Sequence, residues 1–233
     1  MENLRNLCDG IVVLDTETSG LSFTNDEIIE FSAVRLEWDG EWKTVAEADE
    51  FIRRTDDRKL PPKIVELTGI TDEMLLEEGI SKQSICELLA QLLKPNTLIV
   101  AYNAQFDLLF LYHLLSKHGD AAILKNQPKL DLLTVYKDRR PYPHKLCNAI
   151  EQYNLQDKVC NSHRAIDDVR ATVEVMKAMD AECPDLSRYI NLFGYSKKYG
   201  VSGSRISSVR YEPQGFENTV KLYEKSDQVS ALL

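Results

Sequence analysis

Four carboxylates and one imidazole stand where predicted secondary structure would hold each of them in a fixed position. They are Asp15, Glu17, Asp107, His163 and Asp168. Carboxylates are good ligands for divalent cations, and a histidine, with an ordinary pKa of about 6.5, suits a general base near neutrality. Two cations held by such residues can act on a phosphodiester while the base activates a water. The set therefore predicts metal-dependent phosphodiester hydrolysis.

Asp15 and Glu17 follow an apolar run, residues 11–14, that predicts a buried β-strand. Side chains alternate along a strand, so both carboxylates should point to the same face, roughly 6 to 7 Å apart. Two acids this close repel each other unless a positive charge lies between them. A solvated strand end before a turn is the alternative explanation.

Asp107 interrupts the apolar sequence of a helix predicted over residues 105–117. A buried carboxylate is costly and needs a cation, a hydrogen-bond donor or a proton. A carboxylate that caps a neighbouring loop is the competing explanation for this residue.

Asp168 is the inward-facing acid of a helix predicted over residues 164–181. At 100° per residue it lies at the edge of an apolar stripe, whereas Asp167 falls on the polar side. The stripe consists of Ala165, Val169, Thr172, Met176 and Met179. His163 precedes the helix and could lean over Asp168, although a histidine here is also common as a surface or capping residue.

The elements that must position these residues predict an α/β fold with a mixed sheet flanked by helices. Strands are predicted over residues 11–14, 28–37, 42–52 and 97–102, and residues 130–136 as a strand that runs into a helix. Helices are predicted over residues 63–67, 81–95, 105–117, 144–153 and 164–181. The Asp39-Gly40 pair is a strong signal for a hairpin between the second and third strands.

The chain has 233 residues, which suits one domain and a tail. After Pro184 the sequence becomes rich in glycine, tyrosine and basic residues and loses helical periodicity. We expect a domain over residues 1–183 and a C-terminal extension over residues 184–233, built of loops and short strands, whose role is open.

Composition limits the possible partners. The 37 acidic residues outnumber the 28 Lys and Arg, which argues against binding nucleic acid through bulk charge. A nuclease stays possible because bound cations reverse the local electrostatic field.

The five cysteines contain no Cys-x-x-Cys pair, which favours a reducing compartment. Without an apolar leader or a membrane-length apolar stretch, we expect a cytoplasmic protein that has no membrane partner.

Three motifs resemble those of the DEDDh 3′–5′ exonucleases, a family that includes RNase T and the proofreading subunit of bacterial DNA polymerase III. They are Leu-Asp-Thr-Glu-Thr-Ser-Gly-Leu at residues 14–21, Tyr-Asn-Ala-Gln-Phe-Asp at residues 102–107 and His-Arg-Ala-Ile-Asp-Asp-Val at residues 163–169. The His-x4-Asp spacing of His163 and Asp168 separates this branch from one that uses tyrosine. The resemblance covers about residues 10–182.

The resemblance implies an RNase H-like fold and removal of nucleoside monophosphates from 3′ ends. It implies two Mg²⁺ ions, with Mn²⁺ as a substitute. Asp15, Glu17 and Asp168 would hold one ion, Asp15 would bridge to the second, and Asp107 would support the second. His163 would deprotonate the attacking water.

The resemblance also suggests substrate contacts. Thr18, Leu21 and Ile70 match positions that touch the terminal nucleotide, although turn and core roles explain them as well. For the upstream strand, basic and aromatic residues stand close together in the sequence, which is typical of single-strand binding but also of solvated surface. They are Tyr136, Lys137, Arg139, Arg140, Tyr142 and Lys145.

Three hypotheses for function follow. The main one is a 3′–5′ exonuclease on single-stranded DNA, acting alone or with a DNA polymerase in proofreading or repair. A 3′–5′ exoribonuclease is the second, because no residue identifies which sugar is recognised. A catalytically silent nucleic-acid-binding or scaffold module is the third. The sequence leaves the oligomeric state open.

Overall fold

A computed structural model describes residues 1–56, 58–159, 164–215 and 220–230, with the backbone alone for residues 228–230. The predicted general base, His163, lies outside the described residues, so its role stays a prediction. The strands are β1 Gly10–Thr18, β2 Ile28–Trp38, β3 Trp42–Phe51, β4 Thr97–Ala101, β5 Lys129–Asp131, β6 Leu192–Tyr195 and β7 Arg210–Pro213.

The main sheet is mixed, as the sequence predicts. Its strand order is β3-β2-β1-β4-β5. The first three strands form an antiparallel meander, whereas β1 pairs with β4 in parallel and β4 with β5 in parallel. Gly40 has φ of +75°, a left-handed conformation that a glycine adopts without strain, which accounts for the predicted turn between β2 and β3. The α/β fold class is confirmed.

Helices cover both faces of this sheet. They are α1 Glu2–Arg5, α2 Pro62–Thr68, α3 Asp72–Glu77, α4 Lys82–Leu92, α5 Ala104–His118, α6 Ala122–Lys125, α7 Leu132–Arg139, α8 Leu146–Gln152, α9 Ala165–Glu182 and α10 Leu222–Ser230. The sequence predicted α2, α4, α5, α8 and α9 to within a few residues. It missed the short α3, although Thr71 caps it by accepting a hydrogen bond from the N–H of Met74.

Alternation along β1 divides the core into two layers. Ile11 and Val13 pack on the face that α9 covers, and Val12 and Leu14 pack on the face that α4 and α5 cover. By the same alternation Asp15 and Glu17 continue the α9 face, whereas Thr16 continues the α5 face. The strand that carries the first acidic motif is therefore fixed from both sides.

Residues after 183 pack on this core instead of forming a separate body. Tyr189 and Leu192 join the layer beneath α9, while Phe193 and Ile206 join the layer beneath α5. The short strands expected here are present, but β6 and β7 pair in parallel, and α10 was not predicted. Within the described residues, every helix is too short or too polar to cross a membrane.

Candidate active site

The acids of the first and third motifs converge at the C-terminal end of β1. One carboxylate oxygen from each of Asp15, Glu17 and Asp168 lies within 4.8 Å of the other two. Asp168 is 9% exposed, in agreement with its predicted inward phase on α9, and Asp167 is half-buried. Strand alternation and helix phase together produce this cluster, whose oxygen donors suit a hard divalent cation.

Asp107 approaches β1 from the opposite face. It lies in the first turn of α5, is 3% exposed, and its Oδ1 accepts hydrogen bonds from Thr16 N at 3.0 Å and Thr16 Oγ1 at 2.8 Å. The parallel pairing of β1 with β4 ends at Val13 and Val100. The N–H of Thr16 therefore donates no hydrogen bond to β4. The diverging strands thus leave a gap in which Asp107 can reach the strand of Asp15.

Burial and neighbouring acidic charges favour the protonated forms of Asp15, Glu17 and Asp107. Burial, followed by the charges of Asp107 and Asp168, raises the pKa of Asp15 well above its ordinary value. Burial and then Asp168 raise the pKa of Glu17 to about 8. Burial raises the pKa of Asp107 to about 7, although the hydrogen bonds from Thr16 oppose that shift. A divalent cation bound by these acids would stabilise their ionised forms in place of the protons.

Glu30 is a buried acid at this site that the sequence analysis overlooked. It is fully buried on β2 directly opposite Glu17 of β1, and Glu30 Oε1 accepts a hydrogen bond from Arg164 Nε at 2.8 Å. Glu30 Oε2 accepts the N–H of Ala165, the first residue of α9, at 3.0 Å. A single charged residue in the otherwise uncharged and mostly apolar segment 28–34 was the available signal.

Asp131 holds the start of α5 in place from the end of β5. Its Oδ1 accepts hydrogen bonds from the N–H groups of Asn103 and Ala104 at 3.0 and 3.1 Å. The same carboxylate caps α7 by accepting from the N–H groups of Leu133 and Thr134. Asp131 is therefore a structural acid that fixes the helix on which Asp107 lies.

The three residues predicted to touch the terminal nucleotide occupy different environments. Leu21 is 87% exposed beyond the end of β1, and Thr18 Oγ1 donates to Gly20 O at 2.6 Å. Ile70 is fully buried with Ile29 and Leu75. In this conformation Ile70 presents no surface to a nucleotide, because core packing covers it. It behaves as the core residue that the alternative explanation described.

The predicted basic stretch does not form a single surface. The side chain of Arg139 is 2% exposed, donates to Met179 O and pairs with Asp185, while Arg140 pairs with Glu182. Both guanidinium groups therefore hold the end of α9 and the segment after it. Lys137 instead lines an open groove. The prediction was wrong for the two arginines because the acids that neutralise them are distant in sequence.

Comparison with known proteins identifies the fold and the motifs together. The model of the RNase T family, described as exonuclease, matches residues 12–176, which include most of β1 and most of α9. The chain belongs to this exonuclease family. Within the family its acidic residues follow the DEDDh pattern.

The similar proteins include DNA polymerase III components. A PolC-type DNA polymerase III from Clostridium perfringens is 36% identical over 172 residues, which are 72% of this chain and 11% of the polymerase. The epsilon subunit of DNA polymerase III from Treponema pallidum is 30% identical over 177 residues, which are 72% of this chain and 74% of the subunit. The matched part of this chain thus spans about one tenth of the PolC-type relative.

Solved structures of exonuclease I share the fold. Exonuclease I from E. coli in complex with a dA16 oligonucleotide has a TM-score of 0.68 at 22% identity, covering 78% of this chain and 42% of exonuclease I. A moderately thermophilic exonuclease I from Methylocaldum szegediense has a TM-score of 0.66 at 22% identity, with 78% and 42% coverage. These neighbours support the RNase H-like architecture.

Proposed function

We propose that this chain is a divalent-metal-dependent 3′–5′ exonuclease that releases nucleoside 5′-monophosphates from the 3′ ends of single-stranded DNA. The observation that carries the proposal is the convergence of Asp15, Glu17 and Asp168 within 4.8 Å. Burial and the neighbouring acidic charges disfavour the ionised forms of Asp15 and Glu17, so the cluster is suited to cations. Membership of the exonuclease family supplies the reaction class.

The donor set fits Mg²⁺. Asp15, Glu17 and Asp168 would hold one ion, and Asp15 with Asp107 would serve a second, since all of these ligands are carboxylates. Mn²⁺ accepts the same oxygen donors. When bound, the ions would supply electrostatic stabilisation to the phosphodiester during displacement.

The protein's own residues keep these acids in position. Thr16 donates two hydrogen bonds to Asp107, so the carboxylate on α5 stays at the same level of β1 as Asp15. Glu30 fixes the start of α9, on which Asp168 lies one turn further along. His163 directly precedes Arg164, the residue that Glu30 holds, and we propose it as the general base that takes a proton from water.

DNA is the substrate that the comparisons favour. The similar proteins are DNA polymerase III components, and the similar exonuclease I structure contains a dA16 oligonucleotide. We accordingly propose action on DNA in proofreading or repair, with a DNA polymerase as a partner. The cytoplasmic location expected from the sequence stays a prediction.

One assay tests this function against its two alternatives. DNA and RNA oligonucleotides labelled at the 5′ end are incubated with the protein in Mg²⁺ or in chelator, beside a D15N variant. We expect a ladder of shortened DNA products in Mg²⁺, and none in chelator or with D15N. A ladder on RNA alone would replace the proposal with an exoribonuclease. No product on either substrate would favour a silent binding or scaffold module.

A further inference from the structure

An open groove lies between α7 and the C-terminal extension. One part has a volume of about 350 Å³ and another about 230 Å³, and both are lined by Lys137, Tyr195 and Ser196. The shared residues make the two parts continuous. The second part also reaches Asn103 and Gln105, where α5 begins. The groove therefore ends within about one helical turn, or roughly 6 Å along the axis, of Asp107.

A tight turn of the extension forms one wall of this groove. Ser196 O accepts hydrogen bonds from Tyr199 N at 3.2 Å and Gly200 N at 2.8 Å, and Gly200 has φ of +75°. This geometry holds Lys197, Lys198 and Tyr199 at the tip of the turn. Tyr199 is 78% exposed, with Lys198 Nζ 4.9 Å from its ring centre. An aromatic face and two ammonium groups thus stand together at the surface.

The extension is attached directly to the motif that carries Asp107. Gln105 Nε2 donates to Ser202 O at 2.9 Å and to Ser204 O at 2.8 Å. Gln105 Oε1 accepts a hydrogen bond from Tyr211 Oη at 2.7 Å. All these contacts use a side chain two residues before Asp107. The groove wall therefore has a fixed position relative to the acidic cluster.

The charge of the groove is opposite to that of the protein. The whole chain carries a formal net charge of −9, yet the larger part of the groove is lined by three lysines and no acid among the described residues. Within the described part of the chain, none of Lys137, Lys197 and Lys198 forms an ion pair. Asp131 in the smaller part is 5% exposed and its oxygens accept backbone hydrogen bonds.

We propose that this groove binds the single strand upstream of its 3′-terminal nucleotide. The lysines would neutralise successive phosphates while Tyr199 provides a stacking face for a base, a combination typical of sequence-independent single-strand binding. The inference rests on the proposed exonuclease function and assigns a role to the proposed extension, residues 184–233. Only lysines and an aromatic ring are invoked, so DNA and RNA strands are both suitable occupants.

Binding in chelator tests the groove without hydrolysis. Fluorescence anisotropy of labelled oligo-dT and oligo-U is measured over a range of salt concentrations for the wild type, K197A/K198A and Y199A. Loss of two phosphate contacts should weaken binding and make the slope of log K against log salt shallower by about 1.4. Y199A should weaken binding by about tenfold with an unchanged salt slope, because it removes an aromatic stacking face and no charge.

The matched control is K43A/K94A, which also removes two positive charges. Lys43 and Lys94 lie at the end of the sheet where β1 begins, opposite to the acidic cluster, and pair with Asp39 and Glu37. Wild-type affinity in this control, with weakened binding in K197A/K198A, would support the groove. Equal affinity in both double variants would overturn it.

The strand-shortening assay separates this inference from the proposed function. If the wild type shortens DNA but K197A/K198A binds as tightly as K43A/K94A, the proposal that the groove binds the strand is wrong and the exonuclease proposal stands. If the wild type binds through the groove but shortens neither DNA nor RNA in Mg²⁺, the groove is supported and the exonuclease proposal fails. If the wild type neither binds nor shortens a strand, both fail.

Discussion

Glu30 on β2 accepts the backbone N–H of Ala165, the first residue of α9, at 3.0 Å. The bond joins two residues 135 positions apart and ties the helix of Asp168 to the strand beside Glu17. Both partners are fully buried, so water cannot replace the bond. Glu30 is thus a positioning residue, and its effect should appear in the behaviour of the acids it aligns.

A Glu30→Gln substitution should reduce exonuclease activity by about 10- to 100-fold, the range for residues that orient metal ligands. The glutamine side chain has an NH₂ group in place of one carboxylate oxygen. This donor would face either the Ala165 N–H or the Arg164 guanidinium, which also donate, so one of the two hydrogen bonds is lost. We expect the Mg²⁺ concentration that gives half-maximal activity to rise. The measurement is a Mg²⁺ titration of the initial rate.

Glu47→Gln is the control for this change, because Glu47 pairs with Arg170 of α9 at an exposed position. Exposed ion pairs contribute about 0–1 kcal/mol, so its rate and Mg²⁺ dependence should match the wild type. An unchanged Mg²⁺ dependence in Glu30→Gln would remove the positioning role.

Asp168→Asn should lower the rate by more than about 100-fold, because it changes a proposed ligand and not merely its support. In chelator the same variant should be more stable than the wild type, by about 0.5–2 kcal/mol, since one repelling charge leaves the cluster. Asp167→Asn on the outward side of α9 is the matched control. The initial rate in Mg²⁺ checks the first part and urea denaturation in chelator checks the second, where a variant less stable than the wild type would contradict the repulsion.

The stability of the metal-free protein should fall as the pH rises from about 4.5 to 8. Folding raises the pKa of Glu17 from 4.5 to about 8, so the folded state retains a proton that the unfolded chain releases in this range. Mg²⁺ competes with that proton and should stabilise the protein more at pH 8 than at pH 5.

At a Mg²⁺ concentration of 100 times its Kd, the stabilisation is about 2.7 kcal/mol. For a chain of this size that corresponds to an increase in melting temperature on the order of 5–10 °C. Thermal unfolding in chelator and in Mg²⁺ at both pH values measures the effect, and Glu17→Gln should reduce the decline seen in chelator. Equal Mg²⁺ stabilisation at pH 5 and pH 8 would count against cation binding by these acids.

Leu21→Ala and Ile70→Ala should have opposite consequences. Ile70 is fully buried, so its truncation should cost about 2–5 kcal/mol of stability with the KM for DNA unchanged. Leu21 is 87% exposed, so its truncation should change stability by no more than about 0.5 kcal/mol. If Leu21 contacts the terminal nucleotide, its variant alone should raise KM. A raised KM in Ile70→Ala would show that the residue leaves the core when substrate binds.

The parts of the site that depend on local periodicity were predictable. Alternation placed Asp15 and Glu17 on one face of a strand, and a 100° helical step separated Asp168 from Asp167. The contacts made over long sequence separations were not. Asp107 meets Thr16 only because β4 ends before β1 does, and Ile70 is buried only because its loop folds under Ile29 and Leu75. Neither fact has a signature in the neighbouring residues.

The sequence alone determined the types of the acidic residues, the elements that carry them and the α/β class, because residue chemistry and hydrophobic period are local properties. The tertiary structure decided which of the described positively charged side chains form ion pairs. Arg139 and Arg140 form ion pairs with acids near the end of α9. Lys197 and Lys198 lie on a turn of the extension, which Gln105 helps to hold beside α5. Charge pairing depends on distances between elements, and those distances exist only after the chain has packed.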